Sequence, residues 1–568
     1  MKKKIIFLES FTKKKTIQSF LGKEYIIFAT SGHLLKIKNS GIYNLGINFK
    51  NFEPIYEIIP EKKKMIDFWK NFLKKEEIEI IYLALDSDRE GEGIAKEIKE
   101  ILKLSENKYK RLLFYEITPK NINNSLKNPV KIDSNLVEAQ KSRQVLDKMI
   151  GFCISPIIRK KLNAFSAGRI QSVVLKLIVE REKIIEKQKE EKKYIINIFS
   201  LINNNKINLK EVKENKELMI YEEKKVAEET VKKLNFFFTF YKKEETENFI
   251  FSKQPFVTSS LLFEAKKKLN FSVSKTTKIC QKLYEGLWIE KIKKRIGLIT
   301  YPRTDSFRIN KEFSEESYKI IEKKWGKEYC NFFPIWNKIK KKNVQDAHES
   351  IHPTYLYLQP EEIKNDILEE EYLLYKMIFF NSFACLMSST KIKKKYFFFL
   401  NETKIFLTTE KIFLFEGFMK CNIEEFSLDY NIKKKSYLEK IKKIESNKIK
   451  IDEYIGKKIF RYNEGNLIQK LEELKIGRPS TYNTFGAILI KRRYVELNKI
   501  GQFVPTNLGI KLNEWIQKNF SYLINEEYTA LLEEDLDKIS RGEKKYFFFI
   551  FFFWKKFNEE IKKTFLEK

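Results

Sequence analysis

"LALDSDREGEGIA", residues 83–95, determines the fold of the first part of this chain. It completes an apolar run that predicts a buried strand, and its last residues begin a pattern with the spacing of an amphipathic helix. Two earlier apolar segments, residues 4–8 and 25–30, predict further strands, with a helical segment between them. Strands that alternate with helices are typical of a parallel sheet, so we predict an α/β domain over residues 1–140.

The acidic residues of this stretch predict a metal site. Asp86, Asp88, Glu90 and Glu92 fall within seven positions, and in an extended segment the first three point the same way. Crowded carboxylates raise one another's pKa, and Mg²⁺, which prefers oxygen ligands, relieves that conflict. Glu9 follows the first predicted strand and therefore lies at the same carboxyl edge of the sheet. A solvated acidic turn is the simpler alternative, whereas a dinucleotide site is disfavoured because the third glycine is missing and the acids would repel a pyrophosphate.

The composition permits a polyanionic partner but does not demand one. The chain has 568 residues, enough for about two to four domains, and 110 Lys and Arg against 77 Asp and Glu give a formal charge of +33. Only 14 of the basic residues are Arg, and the abundance of Lys, Ile, Asn and Phe is also what AT-rich codons produce. The few Arg are more informative, because Lys does not replace a planar bidentate phosphate ligand.

Several classes of protein are disfavoured by the sequence. None of the five cysteines lies within three residues of another, so we expect no zinc and a reducing compartment. Residues 1–10, "MKKKIIFLES", contain too few apolar residues for a signal peptide. The aromatic run "YFFFIFFFW", residues 546–554, is too short to span a bilayer and predicts a buried helix rather than a membrane contact. We therefore expect a cytoplasmic protein with no membrane partner.

Two motifs resemble those of known enzymes. The pairing of Glu9 with the Asp-x-Asp-x-Glu motif at 86–90 resembles the Toprim domain of topoisomerases, primases and related nucleases. "GLITYPRTDS", residues 297–306, resembles the active-site segment of type IA DNA topoisomerases, in which a tyrosine is the nucleophile. A phenol can attack a phosphodiester when its proton is removed and the developing negative charge is stabilised. The resemblance implies that Tyr301 attacks one DNA strand and that Arg303 binds the phosphate.

Further motifs of the same family follow in its order along residues 1–545, so chance agreement is not credible. They are "SGHLLKI" (31–37), "FEPIYEIIPEKKK" (52–64), "QKSRQVLDKMIG" (140–151), "SAGRIQS" (166–172), "PFVTSSL" (255–261), "QKLYEG" (281–286), "DAHESIHPT" (346–354), "RYNEGNLIQKLEELKIGRPSTY" (461–482) and "KRRYVE" (491–496). The resemblance implies catalytic roles for Tyr301, Glu9, Lys13, Arg303 and His348, and Mg²⁺ ligation by Glu9, Asp86, Asp88 and Glu90. It implies DNA contacts for His33, Arg143, Asp147, Ser166, Ala167, Gly168, Arg169, Ile170, Gln171, Arg303, Arg478, Ser480, Thr481 and Arg493.

The resemblance also implies the architecture, a multidomain α/β, α and β fold whose four domains form a ring. The Toprim domain would cover residues 1–140, and a helical DNA-binding domain would combine 141–190 with 455–568. A β-rich arch would combine 191–254 with 388–454, and a helical domain at 255–387 would carry the tyrosine. The arch agrees with the residues themselves, since alternating β-like runs occur in both of its segments.

The expected function is that of a type IA DNA topoisomerase that relaxes negatively supercoiled DNA with Mg²⁺. It would act as a nucleoid-associated monomer on single-stranded segments of the duplex. No GxxxxGK[ST] motif occurs, so we expect no ATP cofactor. The sequence departs from the family at Phe11, where Pro is usual, at Gln144, where a second Arg is common, and in having no cysteines for C-terminal zinc ribbons, which puts processive relaxation in doubt. Three alternatives stay open: a topoisomerase III-like decatenase, a Toprim nuclease or primase, and a DNA-binding remnant without catalysis.

Overall fold

The structure of the protein is a computed structural model, and it describes residues 2–190, 192–202, 205–334, 349–423, 426, 430–433, 435–454 and 459–566. The described strands are β1 Lys3–Leu8, β2 Tyr25–Ala29, β3 Leu35–Ile37, β4 Ile47–Asn48, β5 Glu53–Pro54, β6 Tyr56–Ile58, β7 Ile78–Leu83, β8 Tyr109–Arg111, β9 Lys193–Ile202, β10 Asn205–Val212, β11 Phe237–Ile250, β12 Leu287–Ile289, β13 Lys294–Ile296, β14 Thr390–Asn401, β15 Lys404–Phe415, β16 Lys443–Glu445, β17 Lys448–Tyr454, β18 Val495–Leu497 and β19 Phe503–Pro505. The described α-helices are α1 Phe11–Gln18, α2 Lys63–Lys75, α3 Arg89–Ile101, α4 Pro119–Lys127, α5 Ser134–Leu162, α6 Arg169–Glu190, α7 Lys224–Lys232, α8 Thr258–Leu269, α9 Val273–Glu285, α10 Lys311–Trp325, α11 Glu369–Ala384, α12 Glu464–Glu473, α13 Phe485–Lys491, α14 Asn507–Asn519, α15 Glu526–Ser540 and α16 Tyr546–Leu566.

The predicted parallel sheet is present in the first part of the chain and has the strand order β2-β1-β7-β8. Its strand pairs are parallel. Alternate residues of β1 enter two different cores, Ile5 and Phe7 on one face of the sheet, and Ile6 and Leu8 on the other. A sheet covered on both faces is typical of a parallel arrangement. Because β1 and β7 are neighbours, the residues that follow them lie side by side at one edge.

The second large sheet is antiparallel and joins the two separated β-rich segments. Its order is β16-β11-β14-β15-β10-β9-β17, so strands from the first segment pair with strands from the second. Phe238, Phe399 and Phe406 are fully buried in its core. The predicted fold class is therefore confirmed: the chain combines a parallel α/β sheet, helical parts and a β-rich arch.

Helices α5 and α6 pack with the C-terminal helices around a separate core. The predicted domain boundary at residue 140 falls inside α5, which begins at Ser134. The predicted helix of the aromatic run is present as α16, but only one of its faces is buried. Phe549 and Phe553 are buried, whereas Phe548 and Phe552 are exposed. Within the part of the chain that the structure describes, we find no helix with the length and apolar character needed to cross a membrane.

Candidate active site

The acidic residues lie at the carboxyl edge of the parallel sheet, where β1 leads into Glu9 and β7 leads towards Asp86. Arg111 is fully buried and donates hydrogen bonds to three carbonyl oxygens of the β7 end, including that of Asp86 at 2.8 Å. Its Nε donates to Glu92 at 2.7 Å, so this carboxylate neutralises Arg111. A Cβ at Gly91 would lie 2.0 Å from the Asp86 carbonyl oxygen, so only glycine permits this close turn into α3.

Tyr301 reaches this edge from a distant part of the chain. Its backbone N–H donates to the carbonyl oxygen of Tyr115 at 2.8 Å, and its side chain is buried. The hydroxyl lies 2.9 Å from Asp88 Oδ2 and 3.3 Å from Asp86 Oδ2, and it donates to these carboxylates. Burial, then Asp88 and Asp86, raise the pKa of Tyr301 well above its usual value. The Tyr301 phenol is thus protonated and held by the acidic residues.

Two cations compensate the carboxylates. The Lys13 ammonium group forms a buried ion pair with Asp86 and stands 4.9 Å from the centre of the Tyr284 ring. Arg303 Nη1 lies 3.5 Å from Asp88 Oδ2. Burial alone would lower the pKa of Lys13, but Asp86 and Tyr284 offset it, and the pKa is raised. Both cations are therefore charged beside the Tyr301 hydroxyl, in a position that suits the binding of an anion.

Glu9 is a partly buried residue, and its Oε2 atom is buried. Among the described residues, its Oε2 has no hydrogen-bond partner. Burial, together with Asp86 and Asp88, raises the pKa of Glu9 to about 7. A free oxygen beside two further carboxylates suits a hard cation, so the donor types fit Mg²⁺. In the described ranges no three His, Cys, Asp or Glu side chains form a group that could hold a metal, and the two aspartates are in contact with Lys13 and Tyr301.

Glu90 binds a histidine and a glutamine. Its Oε2 lies 2.9 Å from His33 Nε2 and accepts from Gln140 Nε2 at 3.2 Å. His33 Nδ1 lies 2.7 Å from Glu97 Oε1. Burial alone would lower the pKa of His33, but Glu90 and Glu97 raise it to about 10, so the imidazole is protonated at neutral pH. The metal role of Glu90 and the DNA role of His33 stay predictions, and the structure shows that the two residues bind each other.

Many of the residues predicted to contact DNA line two cavities. A cavity of about 770 Å³, which we call the α5 cleft, includes His33, Asp147, Ser166 and Ala167 in its lining. A cavity of about 70 Å³, which we call the arginine cavity, is lined by Arg89, Arg143, Arg303 and Arg478, with Ser480, Asp537 and the active-site Asp88 among its other residues. The structure thus brings predicted DNA contacts from five separate motifs into these two linings.

Other predicted residues lie outside both linings. These are Gly168, Arg169, Ile170, Gln171, Thr481 and Arg493. Gln171 donates to the carbonyl oxygen of Ser166 at 3.2 Å, and Thr481 donates to that of Arg478 at 3.0 Å, so both support a cavity wall. Arg169 is buried against two carboxylates. His348, predicted to be catalytic, lies outside the described residues.

A buried acidic pair, Glu533 and Asp537 of α15, was not predicted from the sequence. Asp537 forms ion pairs with Arg89 and Arg478, and Glu533 forms one with Arg169. In the sequence the two acids are four residues apart on a charged helix, a spacing that is typical of a solvated surface. The signal that could have found them is Arg89, an arginine inside the opening stretch of a chain whose cations are mostly lysine.

Comparison with known proteins agrees with this arrangement. Residues 131–550 match the family described as DNA topoisomerase, and residues 4–117 match the Toprim domain. The chain is 36% identical to the DNA topoisomerase 1 of Rickettsia prowazekii, over 98% of the chain and 73% of that protein. It is 34% identical to the DNA topoisomerase 1 of Mycoplasma genitalium, over 99% of the chain and 84% of that protein. The solved structure of full-length topoisomerase I from Thermotoga maritima matches with a TM-score of 0.81 at 31% identity, over 98% of this chain and 90% of that chain.

A Toprim sheet whose acidic edge meets a tyrosine from a distant segment defines the class of type IA DNA topoisomerases. Enzymes of this class are isomerases. The chain belongs to the bacterial DNA topoisomerase I family. The family and the enzyme class predicted from the sequence are confirmed.

Proposed function

We propose that this enzyme relaxes negatively supercoiled DNA by cutting one strand through Tyr301, with Mg²⁺ and without ATP. The observation that supports this most directly is the 2.9 Å contact between the Tyr301 hydroxyl and Asp88. The contact joins the tyrosine segment to the acidic edge of the parallel sheet. Cleavage needs both parts together, and their separation afterwards opens a gap through which a second strand can pass.

In the cleavage step, the phenol of Tyr301 gives its proton to Asp88 and its oxygen bonds to a DNA phosphorus atom. The bond from that phosphorus to the 3′-oxygen breaks, which leaves a 5′-phosphotyrosine, and the 3′-oxygen takes a proton from Glu9. A pKa of about 7 suits Glu9 to this role, because a large fraction is protonated at neutral pH. Lys13 and Arg303 stabilise the negative charge of the phosphate. Religation is the reverse of these steps.

The carboxylates at the edge of the sheet are the expected ligands of Mg²⁺. Mg²⁺ held by Glu9, Asp86 and Asp88, with Glu90 as a further predicted ligand, would supply positive charge that keeps the cleaved ends in position for religation. Lys13 neutralises Asp86 in the structure, so the chain already contains a positive charge at this position. His348 is expected to bind a phosphate or the tyrosine segment, and this role rests on the resemblance alone.

The α5 cleft is the proposed path of the single strand that is cut. Its lining adds the basic side chains Lys36, Arg159 and Arg492 and the aromatic ring of Phe152 to the predicted DNA contacts. Basic groups that follow a phosphate backbone, together with an aromatic surface for base stacking, are typical of single-strand binding. All of these groups come from one chain, so a monomer contains the whole site. The expected location is the nucleoid, because DNA is the substrate.

A plasmid assay tests this proposal. Negatively supercoiled plasmid is incubated with Mg²⁺ and no ATP, with wild-type protein, Tyr301→Phe, or the control Tyr357→Phe, whose tyrosine is exposed. The wild type and the control should give a ladder of relaxed topoisomers, and Tyr301→Phe should leave the substrate unchanged because it lacks the nucleophilic oxygen. No relaxation by the wild type contradicts the proposal, and relaxation by Tyr301→Phe contradicts the assigned nucleophile. A preference for unlinking catenated circles would favour the topoisomerase III-like alternative, and nicking without religation would favour a nuclease.

A further inference from the structure

Two carboxylates of α15 hold three arginines from different parts of the chain. Asp537 forms ion pairs with Arg89 and with Arg478, whose Nε also donates to Asp537 Oδ1 at 3.4 Å. Glu533 forms an ion pair with Arg169, and its Oε2 lies 3.6 Å from Arg478 Nη1. The Glu533 and Asp537 side chains are buried, with 0% and 4% of their surface exposed. We call these five residues the α15 cluster.

The α15 cluster joins the two parts of the molecule on which cleavage depends. Arg89 is the first residue of α3 and directly follows Asp88, the residue that contacts the nucleophile. Arg478 lies in the segment between α12 and α13, in the motif predicted to contact DNA. Asp537 is bonded to both guanidinium groups, so it fixes the position of the acidic edge relative to the predicted DNA-binding segment.

The arginine cavity lies directly beside this link. Arg89, Arg478 and Asp537 line it together with Arg303 and Asp88. Within the described residues, Arg89 Nη1 is buried and has no hydrogen-bond partner, so the guanidinium group keeps one donor after it has bound Asp537. A cavity with several guanidinium groups and an unused donor matches the oxygens of a phosphodiester.

The use of arginine at these positions is itself informative. Only 14 of the 110 basic residues are Arg, yet the α15 cluster and the arginine cavity together contain five of them: Arg89, Arg143, Arg169, Arg303 and Arg478. Lysine carries the same charge but cannot present two parallel N–H donors in a fixed plane. The use of Arg at these positions therefore indicates that the planar arrangement of the donors matters as well as their charge.

We propose that Asp537, supported by Glu533, is a positioning residue for DNA cleavage: it orients Arg89 and Arg478 so that they receive a phosphate of the cut strand beside Asp88 and Tyr301. The inference rests on the proposed cleavage at Tyr301 and adds residues that do not touch the reacting atoms. Without the Asp537 carboxylate, two partly buried guanidinium groups lose their shared counter-charge and their alignment.

Substitution of Asp537 distinguishes a positioning role from a simple effect of charge, because the two change the affinity for DNA in opposite directions. Asp537→Asn raises the net charge by one unit, which by itself would strengthen binding to a polyanion. If Asp537 positions the arginines, the same change weakens binding in spite of the added charge. Glu534→Gln is the matched control, since Glu534 lies on the same helix, is half-exposed and pairs only with Lys538 among the ion pairs of the described residues.

The experiment uses the full chain and a fluorescent single-stranded oligonucleotide. The dissociation constant and the fraction of oligonucleotide joined covalently to the protein at saturation are measured. For Asp537→Asn we expect a covalent fraction lower by about tenfold and a dissociation constant that is several-fold higher. Glu534→Gln adds the same unit of charge without touching the arginines, so we expect an unchanged covalent fraction and a dissociation constant that is equal to or slightly below that of the wild type. Tighter or unchanged binding by Asp537→Asn, with undiminished cleavage, overturns the proposal.

A second variant keeps the test decisive if Asp537→Asn fails to fold. Arg89→Lys keeps the positive charge but cannot bind Asp537 through one nitrogen and offer a second nitrogen to the phosphate, so it should also reduce covalent cleavage by about tenfold. In the double variant the losses should be far smaller than the product of the single losses, because both changes break one interaction. Multiplicative losses, or full activity of Arg89→Lys, overturn the proposal. A wild-type protein that binds the oligonucleotide without cutting it would contradict the proposed function instead, and the binding measurements would still decide the role of Asp537.

Discussion

The hydroxyl of Tyr301 lies 2.9 Å from Asp88 Oδ2, although 213 residues separate the two in the sequence. In the proposed mechanism a DNA phosphate must approach the acidic residues, and the tyrosine fills the position beside them. The contact also holds the proton that the phenol must lose, since burial and the two aspartates raise the pKa of Tyr301. The arriving phosphate, Lys13 and Arg303 must therefore favour the charged transition state over this protonated resting state.

Cleavage is predicted to fall as the pH rises through about 7. Burial, then Asp86 and Asp88, raise the pKa of Glu9 to about 7, and the protonated form that donates to the 3′-oxygen is lost above that value. The measurement is the covalent fraction of an oligonucleotide, without Mg²⁺, from about pH 5 to about pH 9. Glu9→Gln has no acidic proton, so cleavage should fall by roughly 10²- to 10⁴-fold and lose its pH dependence. A flat wild-type profile across pH 7 contradicts the role of Glu9 as the acid.

Removal of the Lys13 charge is predicted to destabilise the protein. Lys13→Met leaves Asp86 as an uncompensated buried carboxylate, which should lower the free energy of unfolding by about 3–5 kcal/mol. Urea denaturation followed by circular dichroism measures this change. Adding Asp86→Asn to Lys13→Met should restore a large part of the loss, because no buried charge is then left unpaired. If the double variant is less stable than the single one, the ion pair is not the cause of the loss.

A methyl group at Gly91 is predicted to displace Asp86. The added Cβ would lie 2.0 Å from the Asp86 carbonyl oxygen, so the start of α3 must shift away from the end of β7. Gly91→Ala should destabilise the protein by about 1–3 kcal/mol and abolish most relaxation activity. Gly151→Ala is the control for stability, since its nearest atom would be 3.9 Å away and alanine is the better helix former there. Melting temperatures that fall equally in both variants would contradict the close approach at Gly91.

The sequence was sufficient to predict the parts of the site that depend on strand ends. Apolar runs predict β1 and β7, and the carboxyl edge of a parallel sheet brings Glu9 and Asp86 together. The role of Tyr301 needed the resemblance, since nothing in its local pattern indicates a partner more than 200 residues away. The split β-rich arch was visible in the sequence as two segments with similar alternating patterns, and the strands of these segments pair in one sheet.

The contacts that the sequence did not predict are those between side chains on separate helices. The contact between Glu90 and His33 was not predicted, because Glu90 lies in the first turn of α3 rather than in an extended segment, and spacing along the sequence does not account for a histidine from another loop. In the sequence, Glu533 and Asp537 look like a solvated acidic pair. Only the structure shows that α15 packs against three arginines. The aromatic run predicts a helix but not which face of it other helices cover. Each of these depends on packing between elements distant in sequence, which local patterns do not determine.

The Mg²⁺ requirement is predicted to change when His33 no longer binds Glu90. With a pKa of about 10, His33 is protonated at neutral pH and neutralises Glu90, which weakens the attraction of that carboxylate for a cation. His33→Ala removes the charge, so half-maximal relaxation should need about two- to fivefold less Mg²⁺. Relaxation is measured against Mg²⁺ concentration at constant ionic strength and saturating DNA. In the double variant His33→Ala with Glu90→Gln, this lower Mg²⁺ requirement should disappear. If His33→Ala alone needs more Mg²⁺ than the wild type, the result contradicts a ligand role for Glu90.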